Sequence, residues 1–197
     1  VIHLLGEHGD AVRLLMGGTD LLVRMRDGEI RPRLVVDVKY LPGVRDVTYS
    51  EQTGLTVGAA VTMNQLARHP AVRAHYPVLA EAAHSVASYQ IRNRATVGGN
   101  LCNGSPCADT IPATLVLEGR VVLQGPNGTR ELSAQAFFLG PGETARQADE
   151  FMTAVHYPIP PGNAAGRYIK LGRNRIGDLA IVSVAVRQPQ PFVLSVR

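Results

Sequence analysis

The feature that most limits how this chain can fold is a pair of diglycine segments, Gly17-Gly18 and Gly98-Gly99. Each follows an apolar or β-prone run, and each is followed by a small polar residue, a threonine in one case and an asparagine in the other. Because glycine has no Cβ atom, backbone N–H groups in such segments can approach an oxygen-rich ligand closely. One diglycine alone signals only a turn. Two in matching contexts predict turns that hold one pyrophosphate group from both sides.

The composition indicates a globular protein. Of the 197 residues, 45% are hydrophobic and 18% are charged, which argues against disorder and allows one substantial domain or two small ones. No apolar run approaches the length of a membrane span. The two cysteines, Cys102 and Cys107, are too few for a zinc or iron–sulfur site, so no metal site is expected. As a free thiol pair without an export signal they favour the cytoplasm.

The net charge of +4 raises the question of nucleic acid. The positive charge is almost all arginine and is spread along the chain, and the denser group between residues 24 and 33 is interrupted by acidic residues. Aromatic residues make up only 5% of the chain and are not interleaved with that group. Nucleic-acid binding is therefore not expected, and an anionic cofactor or an acidic partner suits the charge better.

The alternation of apolar runs and turn residues predicts an α+β fold. The opening reads as β–α–β, with a short helix at 20–27 and a buried strand at 34–38. Hairpins are predicted at 44–59 and 121–132, where turn residues separate β-prone runs. The other predicted elements are helices at 62–68, 79–86 and 110–117, the last capped by Asp109, and strands at 152–157, 167–171 and 181–186.

A dinucleotide requires N–H donors for its pyrophosphate and acceptors for its ribose hydroxyls. The two diglycine segments would supply the donors, and Asn100 and Asp109 the acceptors. The chain has no G-x-G-x-x-G sequence, and no Gly-Lys-Ser/Thr follows the first diglycine, so neither a Rossmann site nor a P-loop is expected. The alternative is that both segments are tight turns in a chain with 20 glycines, and that Asp109 is only a helix cap.

Several motifs stand in order along the chain. MGGTDLL occupies 16–22, QIRN and TVGGNL lie within 90–101, and ADT occupies 108–110. Together they resemble the FAD-binding medium subunit of molybdenum hydroxylases, a family that includes the flavoprotein components of xanthine dehydrogenase, carbon monoxide dehydrogenase and 4-hydroxybenzoyl-CoA reductase. YIKLGR at 168–173 and DLAIV at 178–182 resemble the segment that enters the family's C-terminal domain. The Leu-Cys-Asn-Gly variant that begins at Leu101 is closest to the xanthine dehydrogenase type.

The resemblance implies a two-lobed FAD-binding fold rather than a Rossmann fold. A small N-terminal β–α–β lobe at about 1–50 would pack beside a larger lobe of antiparallel sheet and helices at 51–160. Residues 161–197 would begin the family's C-terminal domain, which is expected to be largely missing after Arg187. The positions that match FAD-contacting residues of the family are Leu14, Leu15, Met16, Gly17, Gly18, Thr19, Asp20, Leu21, Ala87, Thr96, Gly98, Gly99, Asn100, Asp109, Met152 and Lys170.

By the same resemblance, the chain carries electrons within a multi-subunit oxidoreductase. A large subunit with a molybdenum cofactor would oxidise the substrate, a small [2Fe-2S] subunit would pass the electrons on, and FAD would deliver them to NAD⁺, O₂ or another acceptor. No general acid or base is expected, because the flavin ring does the chemistry. Two alternatives remain open: a stand-alone FAD-dependent oxidase or reductase, and an assembly module without flavin. The cysteine-rich loop of the reductase branch is absent, and Cys107 replaces a residue that is commonly small.

Overall fold

The beginning of the chain forms a small β–α–β unit. The computed structural model describes residues 1–161, 165–174 and 177–188. The first two strands of the chain pair in parallel, with Val12 opposite Leu34. Leu5 of the first helix is buried together with Val12 and Phe151, and this packing holds the helix against the unit. The elements of the unit are α1 (Ile2–His8), a 3-10 turn (Gly9–Ala11), β1 (Val12–Leu15), α2 (Leu21–Arg26) and β2 (Leu34–Asp37).

A five-stranded antiparallel sheet forms the centre of the molecule. The strands of this part of the chain are β3 (Val47–Ser50), β4 (Gly54–Gly58), β5 (Arg120–Gly125), β6 (Gly128–Ser133), β7 (Phe138–Gly140), β8 (Glu143–Thr144) and β9 (Phe151–Tyr157). The order in the sheet is β3-β4-β9-β5-β6, so β9 lies between the two hairpins. Both hairpins turn where glycine adopts positive φ, at Gly54 and Gly128.

Short helices cover this sheet. They are α3 (Met63–Arg68), α4 (Pro70–His75), α5 (Pro77–Ser85), α6 (Tyr89–Arg92), α7 (Val97–Asn103), α8 (Thr110–Val116) and α9 (Ala134–Phe137). Thr62 and Gln65 form a capping box at the start of α3, in which the side-chain oxygen of Gln65 accepts from the Thr62 N–H at 2.9 Å. Among the described residues, no helix combines the length and the apolar character required to cross a membrane.

The last two strands form a separate antiparallel ribbon that packs on the helices. Its strands are β10 (Ala165–Leu171) and β11 (Val182–Gln188). Glu81 of α5 accepts the Tyr168 N–H at 2.9 Å and pairs with Arg167, while Glu118, just after α8, pairs with Arg187. These contacts place the inner face of the ribbon against α5 and α8.

The core lies between the large sheet and the helices. Leu55, Leu79, Leu101 and Leu123 are completely buried there, together with Tyr157. The Tyr157 hydroxyl lies 3.1 Å from the Thr114 hydroxyl, so its polar group is satisfied inside the core.

The fold class expected from the sequence is confirmed. Helices are mixed with antiparallel sheets, and β1 and β2 are the only strands of the described part that pair in parallel. Both predicted hairpins and the predicted helices are present, with ends shifted by a few residues. Helix α1 was not predicted, because Leu5 is its only buried residue and leaves no periodic pattern.

Glu150→Gln is expected to lower stability at neutral pH and to flatten the acid limb of the stability curve. Arg130 donates to the two oxygens of the buried Glu150 carboxylate at 2.6 and 2.8 Å, and these bonds hold its pKa below the usual value of 4.5. Since the folded-state pKa is the lower one, this stabilisation is present above about pH 4.5 and is lost as the pH falls. Urea unfolding at several pH values should give a difference of about 1–2 kcal/mol at pH 7 that vanishes in acid.

The exposed pair of Arg120 and Glu131 supplies the control for that experiment. Glu131→Gln removes a carboxylate whose side chain is 44% exposed, so we expect a change of less than about 0.5 kcal/mol at every pH. Parallel stability curves for the wild type and Glu150→Gln would show that the pair of Arg130 and Glu150 does not contribute to acid sensitivity.

Candidate cofactor cleft

A cleft of about 590 Å³ lies beside the β–α–β unit. One group of lining residues runs from Leu14 and Met16 through 17–21, at the end of β1 and the start of α2. A second group comes from the stretch 86–109, and smaller contributions come from the start of β9 and from 177–179, between β10 and β11. The volume is in the range of cavities that bind small molecules and cofactors.

The first diglycine segment forms a row of free donors in this cleft. Within the described part of the chain, the backbone N–H groups of residues 17–21 have no hydrogen-bond partner. The Gly18 carbonyl accepts from the Leu22 N–H at 3.0 Å, so α2 begins within this row. Gly18 has a φ of 78°, which glycine adopts without strain. Consecutive unpaired N–H groups at the amino end of a helix suit a phosphate oxygen.

Glycine is required at two other positions because backbones approach closely there. A Cβ atom on Gly17 would collide with the carbonyl oxygen of Arg94. A Cβ atom on Gly98 would lie 2.7 Å from the Ala59 Cβ and 3.1 Å from the Met16 Sδ. These glycines therefore let the β–α–β unit, the large sheet and α7 meet beside the cleft.

The expectation of a turn at Gly98-Gly99 is wrong. Both residues lie in the first turn of α7, whose N-cap is Thr96. The Gly98 N–H donates to the Ala59 carbonyl at 2.8 Å, and the Gly99 N–H donates to the Thr96 hydroxyl at 3.2 Å. The second diglycine thus provides room in the cleft wall, while the free donors come from the first.

Asn100 presents a donor to the cleft rather than the acceptor expected from the sequence. Its side-chain oxygen accepts from the Thr110 hydroxyl at 2.5 Å. Its NH₂ group has no partner among the described residues, and Asn100 lines the cleft. A hydroxyl or carbonyl oxygen of a ligand could therefore accept a hydrogen bond from this amide.

Asp109 joins the cleft to the ribbon. Its side chain is 6% exposed and makes no helix-capping bond, so the alternative of a simple cap is wrong. Instead it accepts from the Tyr168 hydroxyl at 2.6 Å and from the Lys170 ammonium at 3.0 Å. Burial raises the pKa of Tyr168 strongly, and the bond to Asp109 adds to that shift. Lys170 also donates to the Ser85 carbonyl at 3.2 Å.

Two kinds of group in the cleft were not assigned a cofactor role from the sequence. Cys102 and Cys107 are both free and both line the cleft, and burial raises the pKa of Cys102 to about 11, so its thiol is protonated at neutral pH. Arg146 also lines the cleft and donates to the carbonyls of Gln147 and Glu150 at 2.7 and 2.8 Å. No group of three or more candidate metal ligands occurs within the described residues.

The structure brings most of the expected site residues together. Leu15 and Lys170 do not line the cleft, although Lys170 binds Asp109, which does. Arg146 lies in a loop with no motif, so local sequence gave no signal for it. The expected residues that line the cleft are Leu14, Met16, Gly17, Gly18, Thr19, Asp20, Leu21, Ala87, Thr96, Gly98, Gly99, Asn100, Asp109 and Met152.

Known proteins are similar to this chain in sequence. Residues 1–160 match the family described as the FAD binding domain in molybdopterin dehydrogenase. The xanthine dehydrogenase FAD-binding subunit of Escherichia coli O157:H7 is 38% identical over 185 residues, which cover 93% of this chain and 63% of that protein. The carbon monoxide dehydrogenase medium chain of Hydrogenophaga pseudoflava is 36% identical over 94% of this chain and 64% of its own length.

Solved structures agree with these sequences. Carbon monoxide dehydrogenase from Hydrogenophaga pseudoflava, in a form that lacks the Mo-pyranopterin moiety, superposes with a TM-score of 0.90 and 35% identity over 94% of this chain and 64% of that one. The chain thus spans slightly less than two thirds of the length of the relatives it matches. The resemblance seen in the motifs is confirmed, and the chain belongs to the family of FAD-binding domains of molybdopterin dehydrogenases.

Proposed function

We propose that the cleft holds FAD with its pyrophosphate at the N–H groups of residues 17–21. The observation that carries this placement is the row of unpartnered donors at the start of α2. A diphosphate offers several anionic oxygens within a short span, and such oxygens bind strongly to converging backbone N–H groups. The left-handed conformation of Gly18 keeps these donors in one row.

The remaining site residues then have different roles. Leu14, Ala87 and Met152 offer apolar surface to the rings of the cofactor, and Asn100 offers its NH₂ group. Thr96 caps α7 through its hydroxyl and so shapes the wall beside Gly99. Two residues act from outside the cleft: Lys170 orients Asp109, and Leu15 packs beneath Gly18, where an added Cβ would lie 2.9 Å from its Cδ1.

We further propose that the chain is the electron-transfer part of a multi-subunit molybdenum oxidoreductase. The relatives named above are an FAD-binding subunit of xanthine dehydrogenase and a medium chain of carbon monoxide dehydrogenase. Bound FAD would supply the capacity to accept and release electrons. A large subunit with the molybdenum cofactor and a small [2Fe-2S] subunit would deliver those electrons, and NAD⁺ or another acceptor would receive them.

The outer face of the ribbon supports a role in contact with further polypeptide. Ile169, Leu171 and Val184 are 69%, 58% and 51% exposed, and strand alternation places them on one face. Apolar patches of this kind are uncommon on monomeric proteins. The two free cysteines fit a reducing compartment, and we propose the cytoplasm.

Retention of FAD by the purified chain tests the proposal. The chain is incubated with FAD, freed of unbound cofactor and examined by absorption spectroscopy, with riboflavin as the matched control ligand. We expect one FAD per chain and no retained riboflavin, because riboflavin has no phosphate for the N–H groups of residues 17–21. Denaturation should release FAD and not FMN.

Other outcomes would favour the alternatives. A folded but colourless chain would favour an assembly module without flavin. Equal retention of riboflavin would contradict the placement of the pyrophosphate. Reduction of the bound flavin by a substrate in the absence of other subunits would favour a stand-alone oxidase or reductase.

A further inference from the structure

The bend between α5 and α6 holds a backbone conformation that its sequence does not favour. Ala87 has a φ of 40°, a region that residues with a Cβ atom seldom adopt. The preceding Val86 is extended, and Ser88 begins α6 as its N-cap. Ala87 lines the cleft. Outliers of this kind persist only where the surrounding structure imposes them.

A buried arginine reaches this bend from α6. Arg92 is 7% exposed, and its Nη1 donates to the Val86 carbonyl at 2.9 Å and to the Ala87 carbonyl at 3.1 Å. Its Nε donates to the Asn64 side-chain oxygen at 3.1 Å. The Asn64 amide is in turn held by the Asn93 side chain at 2.7 Å, so the arginine has a fixed orientation.

The partners of Arg92 are unusual for a buried charge. Among the described residues no carboxylate pairs with it, and its hydrogen bonds all go to neutral oxygens. Burying a guanidinium without a counter-ion is unfavourable and demands a compensating gain. Here one nitrogen binds two successive carbonyls, those of Val86 and Ala87, at the point where Ala87 has positive φ.

We infer that Arg92 is a positioning residue that holds Ala87 in its left-handed conformation and thereby keeps the Ala87 methyl group in the wall of the cleft. Glycine at position 87 would adopt positive φ without assistance but would bring no methyl group. Alanine provides the methyl group, but it requires Arg92 to hold the positive φ. The inference rests on the proposed function only for the identity of the ligand that this wall contacts.

The conformation of Ala87 can be tested without any ligand. The three-bond coupling between its amide and Hα protons, together with its Cα and Cβ chemical shifts, reports whether φ is positive. We expect positive φ in the wild type and a return to negative φ in Arg92→Met, which keeps the volume and removes the donors. An unchanged Ala87 signal in that variant would overturn the inference. If Arg92→Met does not fold, Arg92→Gln, which is too short to reach both carbonyls, replaces it.

The effect on the cleft is tested by a double-mutant cycle in the dissociation constant for FAD. Arg92→Met is expected to weaken binding about tenfold, because FAD would then have to bind with Ala87 restored to its unfavourable left-handed conformation. Ala87→Gly alone removes one methyl group and should weaken binding at most about fourfold. Since glycine no longer requires the arginine, the double variant should bind about as well as Ala87→Gly alone.

Independent effects would instead multiply to about fortyfold in the double variant. That result would overturn the inference, because it is expected if Arg92 acts through its charge or through general stability. If the wild type binds no FAD, the proposed function fails, while the ligand-free signal of Ala87 still decides whether Arg92 sets its conformation.

Discussion

Gly18→Val is expected to abolish the retention of FAD while leaving the chain folded. A β-branched residue is strongly disfavoured at the φ of 78° that Gly18 adopts, so the backbone of residues 17–21 must rearrange. The added Cβ would lie 2.9 Å from the Leu15 Cδ1 and 3.1 Å from the Leu22 Cδ1, which are flexible side-chain ends that can move. Losing two or more charge-assisted bonds at about 1.5–3 kcal/mol each should raise the dissociation constant more than about a hundredfold.

Gly28→Val is the matched control. Gly28 has nearly the same φ, 77°, and follows α2 in the same β–α–β unit. An added Cβ there meets only the Arg31 side chain at 3.9 Å, and Gly28 does not line the cleft. Both variants should lose about 1–2 kcal/mol of stability in urea from the left-handed conformation. Only Gly18→Val should lose FAD in a flavin fluorescence titration.

The comparison of these two glycine variants separates the cleft from the fold. Equal loss of FAD in both would mean that general destabilisation is responsible. Retention of FAD by a folded Gly18→Val chain would contradict the proposal that residues 17–21 bind the pyrophosphate.

Short-range signals explain why much of the fold was predictable. The hairpins were found because turn residues such as Asn127 and Gly128 separate β-prone runs, and α3 was found because Thr62 is a strong N-cap. These signals act over a few residues, so a single sequence contains them completely. The β–α–β opening was found for the same reason.

Long-range packing explains what was missed. Two adjacent glycines disfavour a helix by about 1 kcal/mol each relative to alanine, so local propensity predicts a turn at Gly98-Gly99. The structure makes a helix there because the Gly98 N–H binds the Ala59 carbonyl and because no Cβ atom fits against Ala59. Residues almost 40 positions apart decide this conformation. No local pattern contains that information.

Asp109 shows the same limit within the site. The sequence indicated a carboxylate at the cofactor, and Asp109 does line the cleft. Its hydrogen-bond partners, Tyr168 and Lys170, lie about 60 residues further along the chain and come from the ribbon. A helix cap would have required only neighbouring residues, so the local sequence suggested it. In the structure the carboxylate binds Tyr168 and Lys170 instead.

Asp109→Asn is therefore expected to lower both the stability of the chain and its affinity for FAD. The amide cannot neutralise Lys170, whose side chain is 14% exposed and has no other carboxylate partner among the described residues. Removing one member of a buried pair leaves an uncompensated charge, and for this nearly buried pair we expect a loss of about 2–3 kcal/mol in urea unfolding. Residues 177–179, which lie between β10 and β11, line the cleft, so loosening of the ribbon should weaken FAD binding about tenfold.

Glu118→Gln supplies the matched control, because it also replaces a carboxylate that pairs with the ribbon. The Glu118 side chain is 67% exposed and lies outside the cleft, so stability should change by less than about 1 kcal/mol and the affinity for FAD should stay unchanged. Wild-type stability and affinity in Asp109→Asn would contradict the role given to the buried pair.

Adding Lys170→Met to Asp109→Asn separates the two effects. The second change removes the uncompensated charge, so stability should recover largely. If the affinity for FAD recovers with it, both residues act only by holding the ribbon against the cleft. If stability recovers and affinity does not, at least one of the two side chains acts on the cofactor directly.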